Sequence, residues 1–153
     1  MTTETLQSPV LAAIDFSDFS EKTLLKALRL ASCLSAPVVA LHVVHDPAQM
    51  PGYYSRYTKK KHLLRIEDMA KEMLEDFISS VSENHPEIDL NTNFKTMLVT
   101  GLPVTRILQV IEKIDPQMVV LGSKGASGLK HLMLGSVAEQ VVRFSPVDVT
   151  IVK

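Results

Sequence analysis

The chain has 153 residues, a formal net charge of −1 and 46% apolar residues. That length suits one domain, 1–153, with one core that buries roughly 70% of the unfolded surface. Near-neutral charge and the lack of a basic stripe argue against nucleic acid as a partner, and no apolar run is long enough to span a bilayer.

Met1 to Ser8 carries an acid, no basic residue and no apolar centre, so it reads as a short flexible arm rather than a signal peptide. The single cysteine, Cys33, excludes an internal disulfide. It lies in an apolar helical pattern and is expected to be a small buried hydrophobe. These features together predict a soluble, cytoplasmic protein.

Val10 to Ile14 is a continuous apolar run, as in a strand covered on both faces. It ends at Asp15, and any of Ser17, Asp18 or Ser20 can cap the helix that follows. Leu24, Leu25, Leu28, Ala31 and Cys33 or Leu34 mark that helix, and Val38 to Val44 is a second apolar strand. Residues 46–58 hold two prolines, a glycine and three tyrosines, which predicts a loop. Tyr53, Tyr54 and Tyr57 either lid a pocket or cover the edge of the core. Lys59 to Lys61 open a long amphipathic helix over about residues 60–84, whose apolar face runs through Leu63, Leu64, Ile66, Met69, Ala70, Met73, Leu74, Phe77, Ile78 and Val81. Pro86 stops it. Asn91 to Val99 alternates, which predicts a half-exposed edge strand. Gly101 turns the chain and Pro103 suits a first helical turn. Val104, Ile107, Leu108 and Ile111 share a helix face that ends at Asp115 and Pro116. A strand at 118–121, a glycine loop, a helix at 136–144 and a strand from Val147 to Val152 complete the chain. Strands alternating with helices predict an α/β fold with a parallel sheet and right-handed crossovers.

Four of the six glycines fall between residues 122 and 135. A strand runs into this glycine stretch, and the stretch runs into a helix for which Ser136 is the expected N-cap, with Glu139 at the capping-box position. Such a turn can set bare backbone N–H groups and a positive helix end against an anion. It is neither a Walker A loop nor a Gly-x-Gly-x-x-Gly dinucleotide turn. A long irregular connection is the plain alternative.

Gly122, Gly125, Gly135 and Ser136 form Gly-x2-Gly-x9-Gly-Ser. This spacing resembles the nucleotide-binding signature of the universal stress protein family, in its ATP-binding branch. Val10 to Ser17 resembles the family's first strand with its terminal Asp, and Leu41 to Val44 its second strand. Gly101 to Leu108 resembles its Gly-x-Pro helix start, and Ser145 to Val152 its last strand. The resemblance covers about residues 8–153. It implies a Rossmann-like, five-stranded parallel sheet in the order 3-2-1-4-5, with helices on both faces. In such a sheet ligands sit where the strand order reverses, here between strands one and four. Asp15 and Gly122 end those two strands, so the features converge on one crevice.

The resemblance implies ATP as cofactor. Ala13, Ile14 and Val43 line the base pocket, with Ala13 and Ile14 standing where some members have a small polar pair. Asp15 meets ribose hydroxyls or helps hold a divalent ion; capping of the next helix is its plain role. Leu121, Gly122, Ser123, Lys124 and Gly125 form the start of the loop, and Gly125, Gly135, Ser136, Val137 and Ala138 present N–H groups to phosphates. Ala138 lacks the hydroxyl available in some relatives. Lys124 and Lys130 are either phosphate partners or solvent-facing cations. Mg²⁺ or Mn²⁺ would be held mainly by the phosphates. His42 and His45, three apart on a strand, make a poor metal pair. His131 is the one histidine expected near phosphate, with a bystander role the plainer one. No arrangement assigns a nucleophile and base.

Three functions are weighed. The first is an ATP-binding stress-response regulator that acts on a protein partner of unassigned identity. The second is a slow Mg-dependent ATPase or other adenine-nucleotide hydrolase. The third is a structural stress dimer without nucleotide. The resemblance also implies a homodimer formed through Val147 to Val152, in which Asp148 departs from a more apolar family pattern.

Overall fold

The computed structural model describes residues 7–45, 60–125 and 134–153, with 60–64 described by backbone alone. Nine elements follow in chain order: β1 (Val10–Ile14), α1 (Ser20–Leu34), β2 (Val38–His45), α2 (Lys60–Asn84), β3 (Phe94–Gly101), α3 (Pro103–Ile114), β4 (Met118–Gly122), α4 (Ser136–Phe144) and β5 (Asp148–Val152). The strands form one sheet in the order β3-β2-β1-β4-β5, and all four pairings are parallel. This is the α/β topology that the resemblance implies. β1 is central, with Ala13 opposite Leu41 on one side and Leu121 on the other.

Alternate residues of the strands feed two apolar layers. Val10, Ala12, Ile14, Val38, Ala40 and Val120 pack under α1 and α2 with Leu24, Ala27, Leu74 and Val81. Leu11, Val39, Leu41, Val119 and Leu121 pack under α3 and α4 with Ile107, Val110, Ile111 and Val141. Apolar cover on both faces explains why the inner strands read as unbroken apolar runs.

Several boundaries differ from expectation. β3 starts at Phe94 because Asn91 N–H bonds Asp89 Oδ1 at 2.8 Å and Asn93 takes a left-handed φ of 57°. The strand then continues to Gly101, which lies opposite His45 at the end of β2. β5 starts at Asp148 because the Ser145 hydroxyl donates to Val147 O at 2.8 Å and accepts from Val147 N–H at 3.2 Å. That local turn holds Val147 out of the ladder. Cys33 is exposed, contrary to the sequence reading. The buried face of α1 runs through Ser20, Thr23, Leu24, Ala27 and Ala31, and Cys33 lies about 200° around the helix from Ala31. Met69 and Met73 are also exposed, while Ala70, Leu74 and Val81 form the buried stripe of α2.

Helix caps depart from expectation as well. The residue before α1 is Phe19, and no side chain caps the helix. Ser20 instead turns its hydroxyl back to Asp15. The residue before α4 is Gly135, so Ser136 is the first helical residue and the capping box is absent. Gly135 N–H donates to Ser123 O at 2.6 Å, and Gly135 O accepts the first helical bond, from Glu139 N–H at 2.9 Å. That anchor places the cap one residue earlier than the serine.

Candidate functional site

The carboxyl ends of β1 and β4 are neighbours, and the chain leaves them towards opposite faces of the sheet. A cavity of about 540 Å³ opens above them. Twelve of the thirteen sequence-predicted positions line it: Ala13, Ile14, Asp15, Val43, Leu121, Gly122, Lys124, Gly125, Gly135, Ser136, Val137 and Ala138. Ser123 is the exception. It is buried behind the lining, its N–H bonded to Val152 O at 2.8 Å and its carbonyl to Gly135 N–H. Lys130, His131 and the tyrosine segment 53–57 lie outside the described residues.

The β1–α1 turn is built from side-chain hydrogen bonds. Asp15 Oδ1 accepts from Ser17 N–H at 3.0 Å and from the Ser20 hydroxyl at 3.1 Å. The Ser20 oxygen in turn accepts from Asp15 N–H at 3.1 Å. Phe16, between them, has a φ of 62°, and its ring stacks against His42 at 4.2 Å and meets Phe77 edge-on at 5.8 Å. Left-handed backbone at a bulky residue is costly, and this aromatic packing helps to offset it. One oxygen of Asp15 is thus committed to the turn. The other, Oδ2, faces the glycine loop, where a Cβ placed on Gly125 would lie 3.1 Å from it.

The β4–α4 side is built from backbone. A Cβ on Gly122 would approach Phe19 Cβ to 2.9 Å, so the start of α1 lies too close to β4 for any side chain there. Beyond Gly135, α4 begins with no side-chain cap, and the N–H groups of Ser136, Val137 and Ala138 belong to the uncapped first turn. These amides and the half-buried Lys124 supply the positive end of the cavity.

His42 lines the cavity and sends Nδ1–H to Ile14 O at 2.9 Å. Burial lowers its pKa, which the carbonyl bond and the Asp15 charge partly offset. The ring is therefore neutral near pH 7. His45 lines the outer rim at the exposed end of β2. No group of three or more His, Cys, Asp or Glu side chains able to hold a metal occurs among the described residues.

Sequence reasoning missed part of the lining. Pro103 and Ile107 bring α3 to the cavity, and Ser17, Phe19, Ser20 and Thr23 bring α1. The Gly-x-Pro start of α3 was the available signal for the first pair. Thr23 is internally satisfied, its hydroxyl donating to Phe19 O at 2.8 Å. Ser17 Oγ is buried without a hydrogen-bond partner, the one such side-chain atom among the described residues. No serine or threonine hydroxyl at the described lining is bonded to a histidine, so no nucleophile–base pair is formed there. The arrangement can bind an anion at one end and a flat apolar group at the other. Among the described residues no helix is long and apolar enough to cross a membrane.

The Universal stress protein family profile matches residues 8–153. The Bacillus subtilis universal stress protein YxiE is 31% identical over 148 residues, covering 94% of this chain and 97% of its own. The Lactobacillus plantarum universal stress protein UspA superposes with a TM-score of 0.76 at 22% identity, covering 96% of this chain and 99% of its own. A universal stress protein in complex with cAMP gives a TM-score of 0.60 at 20% identity, over 97% of this chain and 99% of its own. The Archaeoglobus fulgidus universal stress protein in complex with dAMP gives 0.64 at 22% identity, with the same coverage of each chain. The profile match and the full-length likeness to YxiE place this chain in the universal stress protein family.

Proposed function

We propose that the protein is an adenine-nucleotide-binding stress-response regulator, with ATP as the ligand. The observation that carries this reading is that Gly122, Gly125, Gly135 and Ser136, the uncapped start of α4 and Asp15 all line one cavity. Two universal stress protein structures in complex with cAMP and dAMP support the adenine class. The base lies against Ala13, Leu41, Val43 and Ile107, an apolar surface that β2, β1 and α3 hold rigid. The phosphates face the amides of Ser136, Val137 and Ala138, with Lys124 adding charge. Mg²⁺ or Mn²⁺, held mainly by phosphate oxygens, would neutralise part of the phosphate charge. The hydrolase reading is not favoured, because no serine or threonine hydroxyl of the described lining is paired with a histidine.

A homodimer through β5 belongs to this proposal. β5 is an unpaired edge, with Val149 and Ile151 half-buried and Val142 and Phe144 of the neighbouring α4 47% and 59% exposed. Such an edge favours pairing across a two-fold axis. Sedimentation at micromolar concentration is expected to give a dimer, and monomer alone would remove the pairing.

The binding test begins with purified protein, denatured so that any released nucleotide is identified by mass. ATP with Mg²⁺ is then titrated into stripped protein and into Gly125→Val. That substitution crowds the Asp15 carboxylate without meeting the fold's core. Binding by wild type and its loss in a folded Gly125→Val is the expected result. No released nucleotide and no binding by folded wild type would reject the site.

A further inference from the structure

Ser17 is the residue at this site that neither the glycine signature nor the strand-end aspartate accounts for. Its backbone is fully employed: N–H donates to Asp15 Oδ1, and its carbonyl accepts from Ser20 N–H at 2.9 Å. Its hydroxyl is buried and unpartnered, while the residue lines the cavity. A buried hydroxyl without a partner is unfavourable, and native structures keep such groups chiefly where a ligand or water completes them. Its neighbours Ser20 and Thr23 are both satisfied internally, so the omission is confined to the one hydroxyl beside Asp15.

The sheet order indicates which part of a ligand meets it. β2, β1 and β4 lie side by side, with Ile14 paired to His42, so Asp15 stands level with Val43. A nucleotide with its base on Val43 and its phosphates on α4 must lay its sugar across the end of β1. A phosphate there would face a carboxylate and be repelled. A sugar hydroxyl suits both groups, since it accepts from a serine and donates to a carboxylate.

We infer that Ser17 is a sugar-binding residue: its hydroxyl turns about χ1 and donates to a ribose hydroxyl, which donates in turn to Asp15. This assignment rests on the nucleotide reading above. The two fail differently. Calorimetric titration of wild type and Ser17→Ala with ATP, 2′-deoxyATP and 3′-deoxyATP tests the contact, and thermal melting of both ligand-free proteins tests the cost. The expected result is that Ser17→Ala binds ATP about fivefold more weakly. With one of the two deoxynucleotides that difference shrinks below about twofold, as one lost hydrogen bond requires. The ligand-free variant melts at the same temperature as wild type or about 2 °C higher, because an unpaired hydroxyl has gone. Equal ATP affinity in the two proteins overturns the inference and leaves the binding site standing. So does an undiminished difference with both deoxynucleotides. A fall in melting temperature of several degrees shows a structural hydroxyl and also overturns it. Wild type that binds none of the three nucleotides overturns the nucleotide reading, and the sugar contact with it.

Discussion

The two sides of the crevice are made of different material. The β1–α1 turn is fixed by side chains: Asp15, Ser17 and Ser20 exchange hydrogen bonds of 3.0–3.1 Å, and Phe16 is held between His42 and Phe77. The β4–α4 side is fixed by backbone: Gly122 allows α1 to approach, Gly135 is held by a carbonyl, and the helix begins without a side-chain cap. The first side can be altered by changing one functional group while the chain path stays. The second is least tolerant of added atoms at Gly122, where a Cβ would meet Phe19 Cβ at 2.9 Å, whereas at Gly125 and Gly135 the nearest atoms lie at 3.1 and 3.3 Å. Chemistry is tuned on the first side, and the second supplies a shape.

The largest effect should follow from adding bulk on the backbone side. Gly122→Val puts a Cβ within 2.9 Å of Phe19 Cβ, a backbone-anchored atom that cannot swing away. Overpacking of this kind costs about 1–3 kcal/mol, so melting temperature should fall by roughly 4–10 °C and nucleotide binding should be lost together with it. Next comes Asp15→Ala on the side-chain wall, which leaves Ser17 N–H and the Ser20 hydroxyl without their acceptor. Denaturant unfolding should show about 1–2 kcal/mol of lost stability, with helix content unchanged. Should Asp15→Ala disrupt the fold more than Gly122→Val, the division between the two sides is wrong.

A smaller effect separates two histidines by sign. His42 has a lowered pKa, so the unfolded chain binds its proton first, and stability falls as pH drops through about 6.5. It levels off below the folded-state pKa. His85 Nε2 is bonded to Glu21 Oε1 at 2.9 Å, and its pKa is raised by that contact first and by Glu87 second. Its stabilisation is complete below about pH 6.5 and is lost as pH rises through the higher folded value. Urea midpoints from pH 5 to 8 should therefore lose their acid-side fall in His42→Phe and their alkaline-side fall in His85→Ala. An unchanged profile in His42→Phe would show that burial of the ring does not govern its titration. The smallest effect belongs to Cys33→Ser, an exposed position away from the crevice, for which a change within about 0.5 kcal/mol is expected by the same titration.

The backbone side was legible in the sequence through spacing, since a run such as Gly122, Gly125 and Gly135 with a helix after it has few physical uses. The strands were legible because burial on both faces leaves no polar residue inside Val10 to Ile14 or Val38 to Leu41. Strand order came from family likeness and could not come from periodicity, which says nothing of neighbours. Caps were misjudged by one residue, because Ser20 and Ser136 have capping chemistry but the hydrogen bonds from Ser20 to Asp15 and from Gly135 to Ser123 decided otherwise. Cys33 was misplaced because two residues of drift separate the buried and solvent sides of a helix. The orphaned hydroxyl of Ser17 could not be read at all, since being unpartnered depends on where every neighbour comes to rest.

Ser123 contributes nothing to the lining, yet it acts as a rivet. Its amide is fastened to Val152 at the end of the outermost strand, and its carbonyl to Gly135 at the mouth of the cavity. One residue's backbone therefore joins the mouth of the cavity to the end of the outermost strand, with no side chain required.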